Sequence, residues 1–243
     1  MKERLAREVA TTLSDKLGTR VEVGSVSVDL FNTATIDTLL IYDQQGRELL
    51  RVDRAIGTVE LLPLLRSKVN VTSLRVLGAK ASLYRDTPTS QGNWQFAVDS
   101  LMPKPGAKGP ELNLRALLLR DMALTYDVLD QPRSDSRFDR NHIDIERLNA
   151  SLVLKSLDKD NQSARIRNME MRLRNGMGIE ELRGTIEASG NGRYTADIPS
   201  LELRLGNNVL LRSKISALLS VPENNALAVE KLQSQSMLTA GQY

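Results

Sequence analysis

The sequence contains no cysteine, a single histidine and few aromatic rings: 3 Phe, 1 Trp and 5 Tyr in 243 residues. Without cysteine there are no disulfides, no thiolate metal ligands and no cysteine nucleophile. With one histidine, a metal centre would rest on carboxylates alone, and an imidazole-based triad has only His142 to draw on. No apolar run reaches the 18 or more residues of a membrane-spanning helix, and no segment has the basic, apolar and small-residue order of a secretory leader. Nor is there a dense run of either charge. The 33 basic and 30 acidic residues are interspersed and leave a formal net charge of +3, which offers no stripe for nucleic acid. Scarce rings leave Leu, Val and Ile to fill the interior, a smooth aliphatic surface that suits acyl chains as well as protein side chains.

What the chain does have is period-two alternation. In SVSVDLFNTATIDTLLIYDQQGRELLRVD (residues 25–53), apolar residues fall at every second position, stop at a turn and resume. This pattern predicts strands with one apolar and one wet face. The phase shifts by one across Gly24-Ser25, which reads as a β-bulge. Residues 2–17 read as a helix, because Leu5, Val9, Leu13 and Leu17 recur at spacing four and Gly18 follows as a stop. Asp43 to Gly46 reads as a turn. Leu61 to Arg66, around Pro63, reads as an inward-packed turn or short helix. Residues 86–110 hold four prolines and read as a loop, with Trp94 in the island GNWQF (92–96) expected to anchor it on the sheet. Residues 222–236, beginning near Pro222, read as a helix. A strand-bend-strand pattern repeats loosely, as in SLRVLGAKASLYRD (73–86) and ALLLRDMALTYDVL (116–129), which suits a sheet that grows by adding strands.

The motifs that could carry chemistry all have a plainer explanation. His142 sits in a polar loop. Asp127, Asp130, Asp135 and Asp139 lack the spacing of a calcium loop. Gly176-Met177-Gly178 and Gly190-Asn191-Gly192 are turn chemistry and lack a phosphate-loop pattern. Glu180 and Glu181 are adjacent, so on a strand they point apart and make a poor acid–base pair. We therefore expect no enzymatic activity and no cofactor.

The apolar faces still need a cover, since each exposed Leu or Val left in water forgoes roughly 1.5–3 kcal/mol. A second sheet, helices, or a strongly curved sheet closing over its own trough would each serve, and periodicity does not separate the first from the last.

An ordered series of segments resembles the N-terminal part of TamB-like proteins of the AsmA-like family from two-membraned bacteria. It runs from the helix ending LSDKLG (13–18) through the strands of 19–54 and LLPLLRSKVNVTSLRVLGAKASLYRD (61–86) to GNWQF. It continues with LNLRALLLRDMALTYD (112–127) and FDRNHIDIERLNASL (138–152). The resemblance implies an inner-membrane helix ahead of Lys2, and a long curved periplasmic sheet with an apolar trough. It also implies a role in carrying phospholipid toward the outer membrane or in outer-membrane protein assembly, the latter through a C-terminal region that would meet an outer-membrane barrel protein. The expected fold is mainly β: a long curved antiparallel sheet forming a taco-like trough, with an N-terminal amphipathic helix and a short C-terminal helix. The expected segments are a membrane-proximal helix (1–18), a first β segment (19–86), a Pro/Gly-rich loop (87–111), continuing sheet (112–221) and a C-terminal helix or tail (222–243).

The residues expected to line a lipid groove are Val26, Val28, Leu30 and Ile36 in the first strands, then Val69, Val71, Leu74 and Val76. Leu112, Leu114, Leu117 and Leu119 follow, with Leu152 and Leu154, Met169 and Met171, and Leu201, Leu203 and Leu205. Phospholipid is the expected partner, in a periplasmic location anchored to the inner membrane. The rival expectation is a periplasmic scaffold that lends a strand edge to outer-membrane proteins while its own side chains plug the trough.

Overall fold

The computed structural model describes residues 2–29, 32–60, 70–101, 114–134, 138–157, 161–189, 192–220 and 228–239. Helix α1 (Lys2–Leu17) precedes strands β1 (Val21–Val28), β2 (Thr33–Tyr42), β3 (Glu48–Glu60) and β4 (Asn70–Arg85). Helix α2 (Gln95–Leu101) leads to β5 (Ala116–Val128), β6 (His142–Leu157), β7 (Asn161–Leu173) and β8 (Met177–Ser189). Strands β9 (Arg193–Leu205), β10 (Asn208–Ser220) and β11 (Ala228–Leu238) complete the order. The fold is mainly β, and the described residues form an open sheet of eleven strands in sequence order. Antiparallel pairing joins β1 through β4 and β7 through β11.

The sheet is not antiparallel throughout. Where β4 and β5 end, the Leu129 amide bonds the Arg85 carbonyl at 2.9 Å and the Asp130 amide bonds the Asp86 carbonyl at 3.0 Å. The two numbers rise together, so these strands run parallel, and the long connection between them carries α2. The loop expected at 87–111 thus contains a helical turn, and its residues 102–111 lie outside the described residues, as does the Leu61–Arg66 cluster.

The chain divides into two compact units. The first comprises residues 1–114 and 119–147, the second residues 115–118 and 148–243.

In the first unit, α1 forms as its spacing predicts. The Gly18 and Thr19 amides both bond the Ser14 carbonyl (2.8 and 3.2 Å), and the Ser14 hydroxyl accepts from the Val21 amide at 3.0 Å. The chain therefore turns straight from helix into β1, and α1 packs on that strand. Ala6, Leu17, Val21 and Val26 are all buried.

The predicted bulge at Gly24 takes a different form. Val23 pairs with Leu39 and Ser25 with Asp37, so no residue is added to either strand and the register continues unbroken to Val28 and Ala34. Opposite Gly24 stands Thr38, with φ +58. Further along, β4 has Gly78 at φ +61 and β5 has Asp121 at φ +52. Val21 and Val26 are five residues apart yet both buried, at 6% and 4% exposure. Strict alternation would put them on opposite faces. The registers nevertheless carry a common offset of three: Val23, Leu39, Val52 and Ala79 form one row and Val26, Ile36, Ala55 and Val76 another, with Thr38 and Gly78 off the β conformation between the two on β2 and β4.

The GNWQF island is anchored as expected. Trp94 meets Tyr126 of β5 edge-on, with ring centroids 5.9 Å apart, and the Arg85 guanidinium lies 5.4 Å from the indole.

In the second unit, short turns at Gly176 and Gly206 connect β7 to β8 and β9 to β10. The C-terminal helix expected over 222–236 does not form. Residues 228–238 are the strand β11, paired with β10 from Ala228 to Leu238, and 222–227 lie outside the described residues. The helix-compatible composition of this stretch yields to the ladder β10 offers, because strand formation follows context more than intrinsic preference.

Candidate functional site

The second unit holds the clearest candidate, a single apolar face built strand by strand. Residues directly opposite in an antiparallel pair share a face, so the registers define its rows. One row runs Met171, Ile179, Leu203, Leu211 and Leu238 across β7 to β11. The next runs Met169, Leu182, Leu201 and Ser213. Beyond it, Ile198 faces Ile215, and Ala164, Ile186, Ala196 and Ala217 form a further row.

The opposite face of the same strands is charged. Arg212 Nε bonds Glu202 at 2.8 Å, Arg183 pairs with Glu181 at 2.9 Å, and Arg204 pairs with Glu180. Ser200 donates to Glu181 at 2.5 Å. Glu180 and Glu181, adjacent in sequence, are thus each neutralised by a different arginine.

The strands are bent where they pack closest. Pairing slips twice on each successive pair: at Ile166/Met169 and Met169/Met171, at Ile179/Glu181 and Arg183/Thr185, and at Val209/Leu211 and Ser213/Ile215. Gly184 sits at this band because β8 and β9 nearly touch there. A Cβ on it would stand 2.7 Å from the Asp197 carbonyl oxygen and 3.1 Å from the Ile198 Cα. Bulges strengthen local twist and bend the strand, so this face is not flat.

Among the described residues of this unit no second layer covers it. Among the described residues of this unit only Ala150, Ile166 and Leu173 are buried hydrophobics. Leu182, Leu201, Leu203 and Leu211 lie on interior strands, yet each keeps partial exposure, and Ile186 is 42% exposed. A closed sandwich would bury these positions completely. A contiguous apolar surface of this kind on one side of a wet sheet is a candidate binding surface. Its one polar interruption is satisfied internally, since the buried Ser213 hydroxyl bonds that of Ser236 at 2.8 Å.

The residues expected from sequence fall into several groups. Met169, Met171, Leu201 and Leu203 are brought together on this face, and Leu205 joins its end opposite Met177. Leu117 and Leu152 face each other, because the Leu154 amide bonds the Arg115 carbonyl at 2.9 Å and an antiparallel step of two brings that pair together. In the first unit, Val26, Ile36, Ala55 and Val76 form one row, and Val28, Ala34, Gly57 and Leu74 the next. Val26 and Leu114, at 4% and 8% exposure, are already covered by the chain itself, whereas Val28 is 55% exposed. Val71 lies past the irregularity at Thr58 and Val59, and Leu119 is half-buried in β5. Leu30, Val69 and Leu112 lie outside the described residues.

The sequence reading missed Ile179, Leu182 and Ile186 of β8 and Leu211, Ile215 and Ala217 of β10. The spacing of 179, 182 and 186 looks helical because a bulge falls between the first two. The signal that could have found them is the period-two run Leu182, Gly184, Ile186.

The polar loop after β5 is tied down by its own side chains. His142 is buried, with Nε2 3.0 Å from the Gln131 carbonyl and Nδ1 3.8 Å from Asp127, which Arg133 pairs at 2.8 Å. Asp139 accepts the Ser134 and Asn141 amides at 2.8 and 2.9 Å, and these bonds hold its carboxyl below its ordinary pKa. Asp135 lies outside the described residues. Among the described residues no three His, Cys, Asp or Glu side chains gather to hold a metal, and no helix is long and apolar enough to cross a membrane. No protein-family model and no curated protein matches the chain.

Proposed function

We propose that this chain is a non-enzymatic segment of an envelope protein that carries phospholipid between inner and outer membranes. Acyl chains lie along its apolar sheet face and head groups stay at the wet margin. In this reading the segment works in the periplasm of a two-membraned bacterium, as the AsmA-like resemblance implies, with the full-length protein anchored in the inner membrane.

One observation carries the proposal. The rows of Met, Ile and Leu across β7 to β10 stay partly exposed with no second layer over them among the described residues of this unit, while the reverse of the same strands is charged. Hydrocarbon burial is non-directional, so such a face accepts tails without selecting a head group.

A second reading, a scaffold for outer-membrane protein assembly, has the edge strand β11 in its favour, where every residue from Val229 to Leu238 is exposed.

Native mass spectrometry of the purified chain separates the two. The transport reading predicts co-purified phospholipid that is lost in Leu203→Arg, which puts a charge in the middle of the face. It predicts retention in Thr195→Arg, on the charged side. A chain that purifies without lipid, or that binds lipid equally in both variants, contradicts the transport reading.

A further inference from the structure

The apolar face of the second unit differs at its two ends. At the end with the turns at Gly176 and Gly206, apolar side chains reach the turns themselves. Leu173 is 8% exposed, and Met177 lies opposite Leu205. Asn208, opposite Leu205 on β10, is the polar member of that row, so three of the four strands β7 to β10 end there on an apolar side chain. At the other end the face becomes wetter and amphipathic. Along β10 the pairing with β11 runs unbroken from Leu211 to Leu218, which keeps Leu211, Ser213, Ile215, Ala217 and Leu219 on one side. Leu219 pairs with Tyr194, Tyr194 with Ala188, and Ala188 with Gln162, so this end row belongs to the apolar face. Tyr194 is 39% exposed, Ile186 one row inward is 42% exposed, and Gln162 is exposed as well. The Tyr194 hydroxyl and the Gln162 carboxamide have no hydrogen-bond partner among the described residues. Two strand spacings of about 4.8 Å separate them, with the small Ala188 between.

From this asymmetry we propose that the Gln162–Tyr194 end receives the polar part of the lipid, and that acyl chains point from it toward the turns at Gly176 and Gly206. The assignment rests on the carrier reading and adds a direction to it. A phenol suits the boundary between hydrocarbon and water, because its ring is apolar and its hydroxyl is not. The Tyr194 hydroxyl and the Gln162 amide both donate, so they select a lipid whose ester or phosphate oxygens accept hydrogen bonds. The dimensions agree. β9 rises roughly 30 Å between Leu203 and Tyr194, against about 15 Å of hydrocarbon in one leaflet of a bilayer. A whole acyl chain therefore fits lengthwise and leaves the Tyr194 end for the polar part of the same molecule. A hydrocarbon without acceptor oxygens has no reason to prefer either direction.

Two photoactivatable phosphatidylcholines test the direction, one with a diazirine at the tip of an acyl chain and one with it in the head group. Each is supplied to the purified chain in phosphatidylcholine vesicles, and the adducts are located by tandem mass spectrometry. The head-group label should fall near Gln162, Ile186 and Tyr194, and the tail-tip label near Met171, Ile179 and Leu203. Each preference should be roughly fivefold or more, the factor that one net hydrogen bond contributes. Gln162→Leu combined with Tyr194→Phe removes both donors from exposed positions, so the circular dichroism should match the parent. In that variant the preference, read within the adducts that form, should fall to about one, and Tyr194→Phe alone should lower it part of the way. Adducts of both probes mixed over the face, the opposite direction, or a preference that survives in the double variant would overturn the assignment and leave the carrier reading standing. No adduct from either probe would overturn both.

Discussion

The Tyr84 hydroxyl donates to the Asp43 carboxylate at 2.6 Å, joining β4 to the turn between β2 and β3 across 41 residues of sequence. Asp43 has no exposed side-chain surface. Its other oxygen accepts the amides of Gln45 and Arg47 at 3.0 and 2.8 Å, and the Arg47 guanidinium stacks on the Tyr84 ring at 3.8 Å. A buried carboxylate that loses a partner costs roughly 1–3 kcal/mol. Tyr84→Phe should therefore destabilise the first unit by about that amount. Urea unfolding followed by Trp94 fluorescence measures it, and an unchanged midpoint would show that the remaining donors suffice.

Gly78 combines a left-handed backbone with a close approach of the Asp53 side chain. Its φ is +61, and a Cβ there would collide with the Asp53 carboxylate. Gly78→Ala should cost roughly 1–3 kcal/mol, more than Gly46→Ala, which also has a positive φ but nothing within 4 Å. Thermal melts of the two variants give the comparison. Equal losses would mean that the approach of Asp53 adds nothing to the backbone strain.

Acid stability should depend on Asp139. Amide bonds from Ser134 and then Asn141 lower its folded pKa. A carboxylate lowered on folding adds stability that is complete above its unfolded value, about 3.9. That stability is lost as pH falls through the lower folded value. Asp139→Asn should be less stable than the parent near neutrality and lose less on acidification, so the two curves converge at low pH. Denaturant midpoints measured from pH 7 to pH 2 test this, and parallel curves would contradict it.

The strands whose apolar residues alternate without interruption were legible in the sequence. The stretch Leu201, Leu203 and Leu205 of β9, past the extra residue that separates it from Ile198, is the plainest case, and the turn at Gly206 follows from its residue type. The helix α1 was legible from its spacing of four and its glycine stop. The bulged strands were hidden. One extra residue in β8 turns alternation into the spacing of Ile179, Leu182 and Ile186, which imitates a helix. The parallel step from β4 to β5 has no local signature, since it depends on where a long connection returns. Strand β11 was misread as a helix because LQSQSML has no alternating apolar face, and β10 supplies the ladder that makes it a strand. The candidate face was half visible for the same reason. Met169 and Met171 on β7 and Leu201, Leu203 and Leu205 on β9 alternate, whereas the residues on β8 are recognised only once the register aligns them with Leu201 and Leu203.

The central claim is that hydrocarbon tails occupy the apolar face of β7 to β10. Photo-crosslinking tests it most directly, with a benzophenone amino acid placed at Leu201 on that face or at Thr195 on the charged side and the chain incubated with labelled phospholipid vesicles. The account predicts a lipid adduct at position 201 and none at 195. Labelling that is equal at the two sites, or absent from 201 while the protein remains folded, would contradict it.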